Sequence, residues 1–120
     1  MQEKYKFMFK VVIIGGESTN DYARFKKKCI ECLRNKAKEG RIIIYTTGDK
    51  FVDAFSERYG IDTRFFPCDF KRFGRDALRY RAEDILKDAD AVISFNDGQK
   101  DTQMITKMAV EKGLPLRNIR

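Results

Sequence analysis

Five short apolar runs divide this chain at regular intervals, and a helical pattern follows each of the first four. The first run, at residues 10–14, contains four consecutive β-branched residues and leaves no polar face. A strand without a polar face has to be covered on both sides, which is typical of an interior strand in a parallel sheet. The other runs lie at residues 41–45, 61–66 and 90–95, with a short last strand from Pro115. Residues 5–9 are a basic and aromatic lead-in to the first strand.

The segments between these strands place apolar residues at helical spacing, and Gly40, Gly60 and Gly113 supply stops. The four predicted apolar stripes are Tyr22, Phe25, Cys29, Cys32 and Leu33; Val52, Phe55 and Tyr59; Leu78, Ala82, Ile85 and Leu86; and Ile105, Met108 and Ala109. The order βαβαβαβαβ predicts an α/β fold, because its helices fit right-handed crossovers. We expect one Rossmann-like domain over residues 1–120. It is a three-layer αβα sandwich with a mostly parallel sheet of about five strands.

Glycine-bearing turns follow three of the predicted strands, at Gly15-Gly16, Gly48 and Gly98. The carboxyl ends of parallel strands lie along one edge, where ligands of open α/β sheets bind, so these turns are expected to meet there. Asp49 and Thr102 stand where helices begin, and free N–H groups at a helix start attract an anion. Simple helix capping is an equally compatible interpretation, because it uses the same N–H groups.

Composition and charge limit the kinds of catalysis, metal binding and partner that the chain could have. The net charge is +7, which fits phosphate-bearing partners as well as an ordinary basic surface. The chain has no histidine, which excludes Ser-His and Cys-His catalysis and His-ligated metals. Cys29 and Cys32 form a C-x-x-C on a buried stripe, which favours core packing over redox or zinc chemistry, so both are expected to be buried and reduced. No apolar run is long enough for a bilayer and no signal-peptide core is visible, so a cytoplasmic location is predicted.

Two further features stand out in the second half of the chain. Residues 68–75 interleave basic and aromatic side chains, a composition that stacks bases and holds phosphates. A surface loop whose phenylalanines tuck under the sheet edge is the favoured interpretation. Arg81 lies at the margin of an apolar helix face and needs an anion or carbonyl partner. An intramolecular aspartate would serve as well as a ligand.

Between residue 10 and about residue 115, the motifs resemble the SLOG superfamily, named after the DNA-processing Smf proteins and the Lonely Guy phosphoribohydrolases. The chain is most similar to its small YspA-like bacterial domains of unknown function. That family opens with a strand and Gly-Gly, as at Gly15-Gly16. Its second strand ends in Ser-Gly-Gly-Ala-Arg-Gly-Ala-Asp, which aligns with residues 46–53 of this chain. Its fourth strand reads Asp-Ala-Val-Ile-Ala-Phe, which aligns with residues 90–95. The resemblance implies a Rossmann-like fold and a nucleotide or nucleotide-derivative pocket.

Several positions depart from the family pattern. Thr47 and Phe51 replace glycines of the second turn, and Asp101 replaces the glycine before Thr102. Ile105 stands where the phosphoribohydrolases carry their catalytic glutamate, and it cannot act as an acid or base. The active-site arginine of those enzymes does have a counterpart, in Arg81. The resemblance therefore implies binding without turnover.

We expect a binding or sensing domain for a small, phosphate-bearing, nucleotide-like ligand, with no catalytic residue, metal or cofactor. The predicted ligand-binding residues are Gly15, Gly16, Glu17, Thr46, Thr47, Gly48, Asp49, Lys50, Asp53, Arg81, Asn96, Asp97, Gly98 and Thr102. One alternative is a nucleoside-monophosphate N-glycosidase using Asp53, Asp97 or Glu17 as its carboxylate. Another is a nucleic-acid-binding protein, based on the net charge and the region from Phe70 to Arg81. We expect no membrane partner. The sequence leaves open whether the chain forms a homo-oligomer.

Overall fold

The computed structural model describes residues 8–120. Its strands are β1 (Met8–Ile14), β2 (Arg41–Thr46), β3 (Asp62–Phe65), β4 (Ala91–Phe95) and β5 (Leu116–Ile119). Its α-helices are α1 (Tyr22–Glu39), α2 (Lys50–Tyr59), α3 (Phe70–Phe73), α4 (Ala77–Leu86) and α5 (Lys100–Glu111), with 3-10 turns at Glu17–Thr19 and Gly74–Asp76. The predicted lead-in at residues 5–9 and the predicted domain 1–120 both include residues that lie outside this range.

All five strands are parallel, in the order β3-β2-β1-β4-β5. This arrangement confirms the α/β fold, the parallel sheet and the interior position of β1. Val11 pairs with Ile44 of β2 on one side and with Ala91 of β4 on the other. The strand order therefore reverses direction at β1, and the crevice between β1 and β4 is the switch point of the sheet.

Helices cover both faces of the sheet. Side chains of β1 alternate between them: Val11 and Ile13 pack in the core beneath α1 and α2, whereas Val12 and Ile14 pack in the core beneath α4 and α5. Phe25 of α1 is fully buried in the first core. The β-branched run thus buries both of its faces, as its lack of polar positions required. The result is the expected three-layer sandwich.

Some details differ from the sequence predictions. Cys32 is half-buried, while Cys29 is fully buried. Leu78 is also half-buried, because Ala77 takes the core position at the start of α4. The β3 strand is shorter than residues 61–66, and all of its residues are exposed because it lies at the sheet edge.

The loop predicted at residues 68–75 contains the short helix α3 and a 3-10 turn. Its phenylalanines do not tuck under the sheet edge. Phe70 is 59% exposed, and the Phe73 ring packs on Tyr80 of α4 at 4.2 Å between centroids. The helical turn arises because the Asp69 side chain accepts the Arg72 amide and caps α3.

Candidate functional site

The turns after β1, β2 and β4 enclose a cleft of about 320 Å³ at the carboxyl edge of the sheet. The cleft lies at the switch point, where the first and fourth strands run side by side. Its lining residues are Gly15, Glu17, Ser18, Thr47, Gly48, Asp49, Asp97, Gln99, Asp101 and Thr102. The turns that carry Gly15 and Gly48 therefore meet, as the parallel sheet led us to expect.

Glycine is required in the turn after β1 for two different reasons. Gly15 has φ +78°, and a Cβ there would lie 2.3 Å from the carbonyl oxygen of Phe95. Gly16 has an ordinary φ of −65°, but its Cβ would lie 2.3 Å from the Phe25 ring. The turn consequently lies flat against the end of β4 and against α1. This close packing brings the loops of the cleft together.

The carboxylate of Asp49 joins two of the turns. Its Oδ1 accepts the amides of Phe51 and Val52, at 2.8 and 3.3 Å, and caps α2. Its Oδ2 accepts the amide of Glu17 at 3.0 Å. The carboxylate of Glu17 in turn accepts the amide of Lys50 at 3.3 Å. The N–H groups near Asp49, predicted to hold phosphate, thus already have acceptors within the chain.

The start of α5 is more open. Asp97 accepts the Gln99 amide at 2.9 Å, and Asp101 accepts the Thr102 amide at 2.8 Å. A helix supplies no intrahelical acceptor to the amides of its first residues, here Lys100 and Asp101. The positive end of the helix dipole lies at the same place. The first turn of α5 therefore keeps more open donors than the first turn of α2, with the carboxylates of Asp97 and Asp101 beside them.

Arg81 lies outside the cleft. Its side chain is only 8% exposed, and its Nη2 donates to Asp101 Oδ2 at 2.9 Å. Its Nε is buried and has no hydrogen-bond partner among residues 8–120. Arg81 lines a separate cavity instead, between α3 and α4. Among the hydrogen bonds of residues 8–120, the one to Asp101 joins Arg81 to a residue that lines the cleft. Of the two kinds of partner that the sequence left open, an intramolecular aspartate is present, and it is Asp101.

The remaining predicted residues surround the cleft or lie away from it. Thr46 is buried beneath it, where its hydroxyl accepts the amides of Gly48 and Asp49. Asp53 lies on α2 beside a different surface pocket, together with Thr63. Gly16, Lys50, Asn96 and Gly98 are not among the residues that line the cleft.

Sequence reasoning did not select Ser18, Gln99 or Asp101 as ligand-binding residues. Each lies within three positions of a predicted glycine turn or of Thr102, and this proximity was the signal that could have identified it as a lining residue of the cleft. Side chains just after a βα turn face the same cleft as the turn itself, since the chain there is leaving the sheet edge. Extending each predicted turn by a few residues would have included all three.

Four carboxylates line the cleft, those of Glu17, Asp49, Asp97 and Asp101, and no lysine or arginine is among its lining residues. Lys50 and Lys100 begin the two helices that flank it. Carboxylates accept hydrogen bonds from hydroxyl and amino groups. Within residues 8–120, no group of three or more Cys, Asp or Glu side chains is arranged to hold a metal ion. The cleft is thus suited to a ligand rich in hydrogen-bond donors.

The cysteines show no sign of redox or metal chemistry. All three are free thiols. Burial raises the pKa of the Cys29 thiol far above its ordinary value, and burial also raises the pKa of Cys32. A thiol with a raised pKa is a poor nucleophile at neutral pH, because only the thiolate reacts. The C-x-x-C therefore belongs to the packing of α1.

No protein-family model, curated protein or solved structure matches this chain. Within residues 8–120, no helix has the length and apolar character needed to cross a membrane. The resemblance to the SLOG superfamily therefore remains a hypothesis that depends on the motifs alone.

Proposed function

We propose that the protein is a binding or sensing domain for a nucleotide-like ligand, held in the carboxyl-edge cleft without turnover. The observation that supports this proposal is the meeting of the β1 and β4 turns at the switch point, with Gly15 packed directly against Phe95. Open α/β sheets bind their ligands at such a point. The cleft volume of about 320 Å³ fits a nucleoside-sized molecule.

The carboxylates determine which part of the ligand lies where. Glu17 and Asp97 accept the ribose hydroxyls, since both line the cleft and an ionised carboxylate is a strong acceptor. The phosphate binds at the first turn of α5, next to Lys100, where amides remain without intrahelical acceptors. It does not bind at α2, because Asp49 and Glu17 already accept those amides. This assignment keeps the phosphate site expected near Thr102 and gives up the one expected near Asp49.

The proposal excludes catalysis at Ile105. That side chain is 2% exposed in the core between the sheet and α5, and it carries no titratable group. The N-glycosidase alternative would have to rely on Glu17 or Asp97, because Asp53 lies outside the cleft. Incubation with nucleoside monophosphates, followed by chromatography of free base, separates the two functions. Release of base at ordinary enzyme rates would reject the binding-domain proposal.

Isothermal titration against adenosine, AMP, ribose 5-phosphate and inorganic phosphate tests the ligand class. We expect AMP or another nucleotide to bind more tightly than phosphate alone. Asp97→Ala should weaken nucleosides and nucleotides alike by about 10- to 100-fold, since one charge-assisted hydrogen bond is worth roughly 1.5–3 kcal/mol. Lys100→Gln should weaken only the phosphorylated ligands.

Lys27→Gln is the matched control, because Lys27 is an exposed residue of α1 that does not line the cleft. It removes the same charge as Lys100→Gln from the same basic protein. Equal effects of the two variants would indicate diffuse charge attraction and would overturn the phosphate assignment. The absence of binding by any nucleoside or nucleotide would overturn the proposed function itself.

A further inference from the structure

A groove of about 460 Å³ lies between the last turns of α1 and α2, at the edge of the sheet where β2 begins. This edge is opposite the carboxyl-edge cleft, with which the groove shares no lining residue. We propose that the groove binds a small amphipathic carboxylate, a molecule with an apolar body and one acid group, such as a medium-chain fatty acid. The proposal does not depend on the nucleotide-like ligand of the cleft.

Apolar side chains from two helices and one strand line the groove. Leu33, Ile42 and Phe55 are its buried part. Ile30 of α1 and Tyr59 of α2 line it from opposite helices, and they remain 37% and 44% exposed. A concave surface lined mainly by large apolar side chains is the usual form of a small-molecule site. The groove therefore offers accessible apolar surface to the body of a ligand.

The groove is open because both helices end beside it in glycine. The α1 helix ends at Gly40 and α2 ends at Gly60, and both glycines are lining residues. A Cβ at Gly60 would meet no atom within 4 Å. The volume lies within the range of roughly 300–1,000 Å³ that is usual for small-molecule sites. Space and apolar surface thus occur together at this edge of the sheet.

The charged residues of the groove favour an acid group. Its lining includes two arginines, Arg34 and Arg41, and one carboxylate, that of Asp62, which already accepts a hydrogen bond from Arg41 Nη2. Arg34 is exposed, and within residues 8–120 it forms no ion pair and no hydrogen bond through its side chain. Its donors are therefore free to bind a carboxylate whose apolar body lies in the groove.

Four probes separate the apolar requirement from the acidic one: octanoate, 1-octanol, octylamine and acetate. Octylamine is included because the ends of α1 and α2 carry partial negative charge, which would favour a cation. We expect octanoate to bind at least about 10-fold more tightly than octanol or octylamine, and at least about 100-fold more tightly than acetate. Amide chemical shifts should centre on residues 30–42 and 55–62. Octanol or octylamine binding as tightly as octanoate, or shifts centred elsewhere, would overturn the proposal.

A space-filling variant tests the location of the site. Ala37 is an exposed residue of α1 that lines the groove, so Ala37→Trp should occupy it and weaken octanoate by at least about 10-fold. Ala54→Trp is the matched control, because Ala54 is exposed on α2 but does not line the groove. Equal effects of the two variants would reject the groove as the site.

A charge variant tests the acid group. Arg34→Gln should weaken octanoate by about 10-fold and leave octanol unchanged. Arg75→Gln is the matched control, because Arg75 is exposed and does not line the groove. Equal weakening by both variants would indicate diffuse charge attraction and would contradict the proposal. Failure of nucleotides to bind the unaltered protein would affect the proposed function alone.

A second copy of the chain is the competing occupant of the groove. Sedimentation equilibrium of the unaltered protein and of Ala37→Trp distinguishes it from a small ligand. We expect the two proteins to have the same state of association. A dimer that Ala37→Trp disrupts would show that the groove is covered by a partner copy and would overturn the proposal.

Discussion

The carboxylate of Asp49 accepts the backbone amide of Glu17 at 3.0 Å, across 32 positions of the chain. The carboxylate of Glu17 in turn accepts a hydrogen bond from the Lys50 amide at 3.3 Å. These reciprocal bonds tie the turn after β1 to the start of α2. They also satisfy, from within the chain, donors that would otherwise attract an anion. The start of α2 is consequently a junction between two loops, and α5 offers the open donors.

Asp49→Ala should destabilise the protein by about 3 kcal/mol. Loss of an N-cap costs about 0.5–2 kcal/mol, and leaving a further amide without its acceptor adds roughly 1–3 kcal/mol. Urea denaturation measures the change in the free energy of unfolding. Asp21→Ala is the control, because Asp21 is exposed and caps α1 through the Arg24 amide alone. Equal losses in the two variants would show that the bond to Glu17 contributes nothing.

Gly15→Ala should be clearly more destabilising than Gly98→Ala. Both positions have a similar positive φ, +78° and +74°, so both variants carry the same backbone strain of about 1–2 kcal/mol. Only the Cβ at residue 15 meets a neighbour, the Phe95 carbonyl oxygen, and overpacking adds about 1–3 kcal/mol. Thermal denaturation of both variants measures the difference. Similar melting temperatures would mean that the turn can move away from β4.

Asp101→Ala should lower stability by about 1–3 kcal/mol, since it leaves the buried guanidinium of Arg81 without its carboxylate. Breaking a fully buried ion pair would lower the stability more. Because the Asp101 side chain is 39% exposed, water compensates in part for its removal. Glu39→Gln, which breaks the exposed Lys36–Glu39 pair, should cost about 0.5 kcal/mol or less. Urea titrations of both variants compare them. A loss at Asp101 no larger than at Glu39 would contradict the structural role of the Arg81 pair.

The two cysteines of the C-x-x-C should differ in reactivity. Cys29 is fully buried, so a thiol reagent should reach it only when the chain unfolds, at least about 10³-fold more slowly than Cys32. Burial raises the pKa of Cys32 above 9.0, so its labelling rate should still be rising as the pH passes 9.0. Mass spectrometry of labelled peptides measures both rates. In denaturant the two rates should become equal, and rapid labelling of native Cys29 would contradict its burial.

Much of the fold was predictable because local patterns imply it. The β-branched run of β1 has no polar side, which leaves an interior strand as the stable solution. Glycine after Tyr59 was predicted to stop α2, and Gly60 adopts the left-handed conformation that ends the helix. The region at residues 68–75 was less predictable. Its short helix depends on a cap at Asp69 and on packing of Phe73 against Tyr80, which is a tertiary contact.

For the candidate site, the sequence by itself determined which turns converge, because parallel strands carry their βα turns to one edge. Only the tertiary structure decided what those turns offer a ligand. It placed the carboxylates of Glu17 and Asp49 so that each accepts a backbone amide from the other's loop. It also paired Arg81 with Asp101. The physical reason is that periodicity reports which side of an element is buried, whereas hydrogen-bond partners depend on distances between residues far apart in the chain. No local pattern encodes those distances.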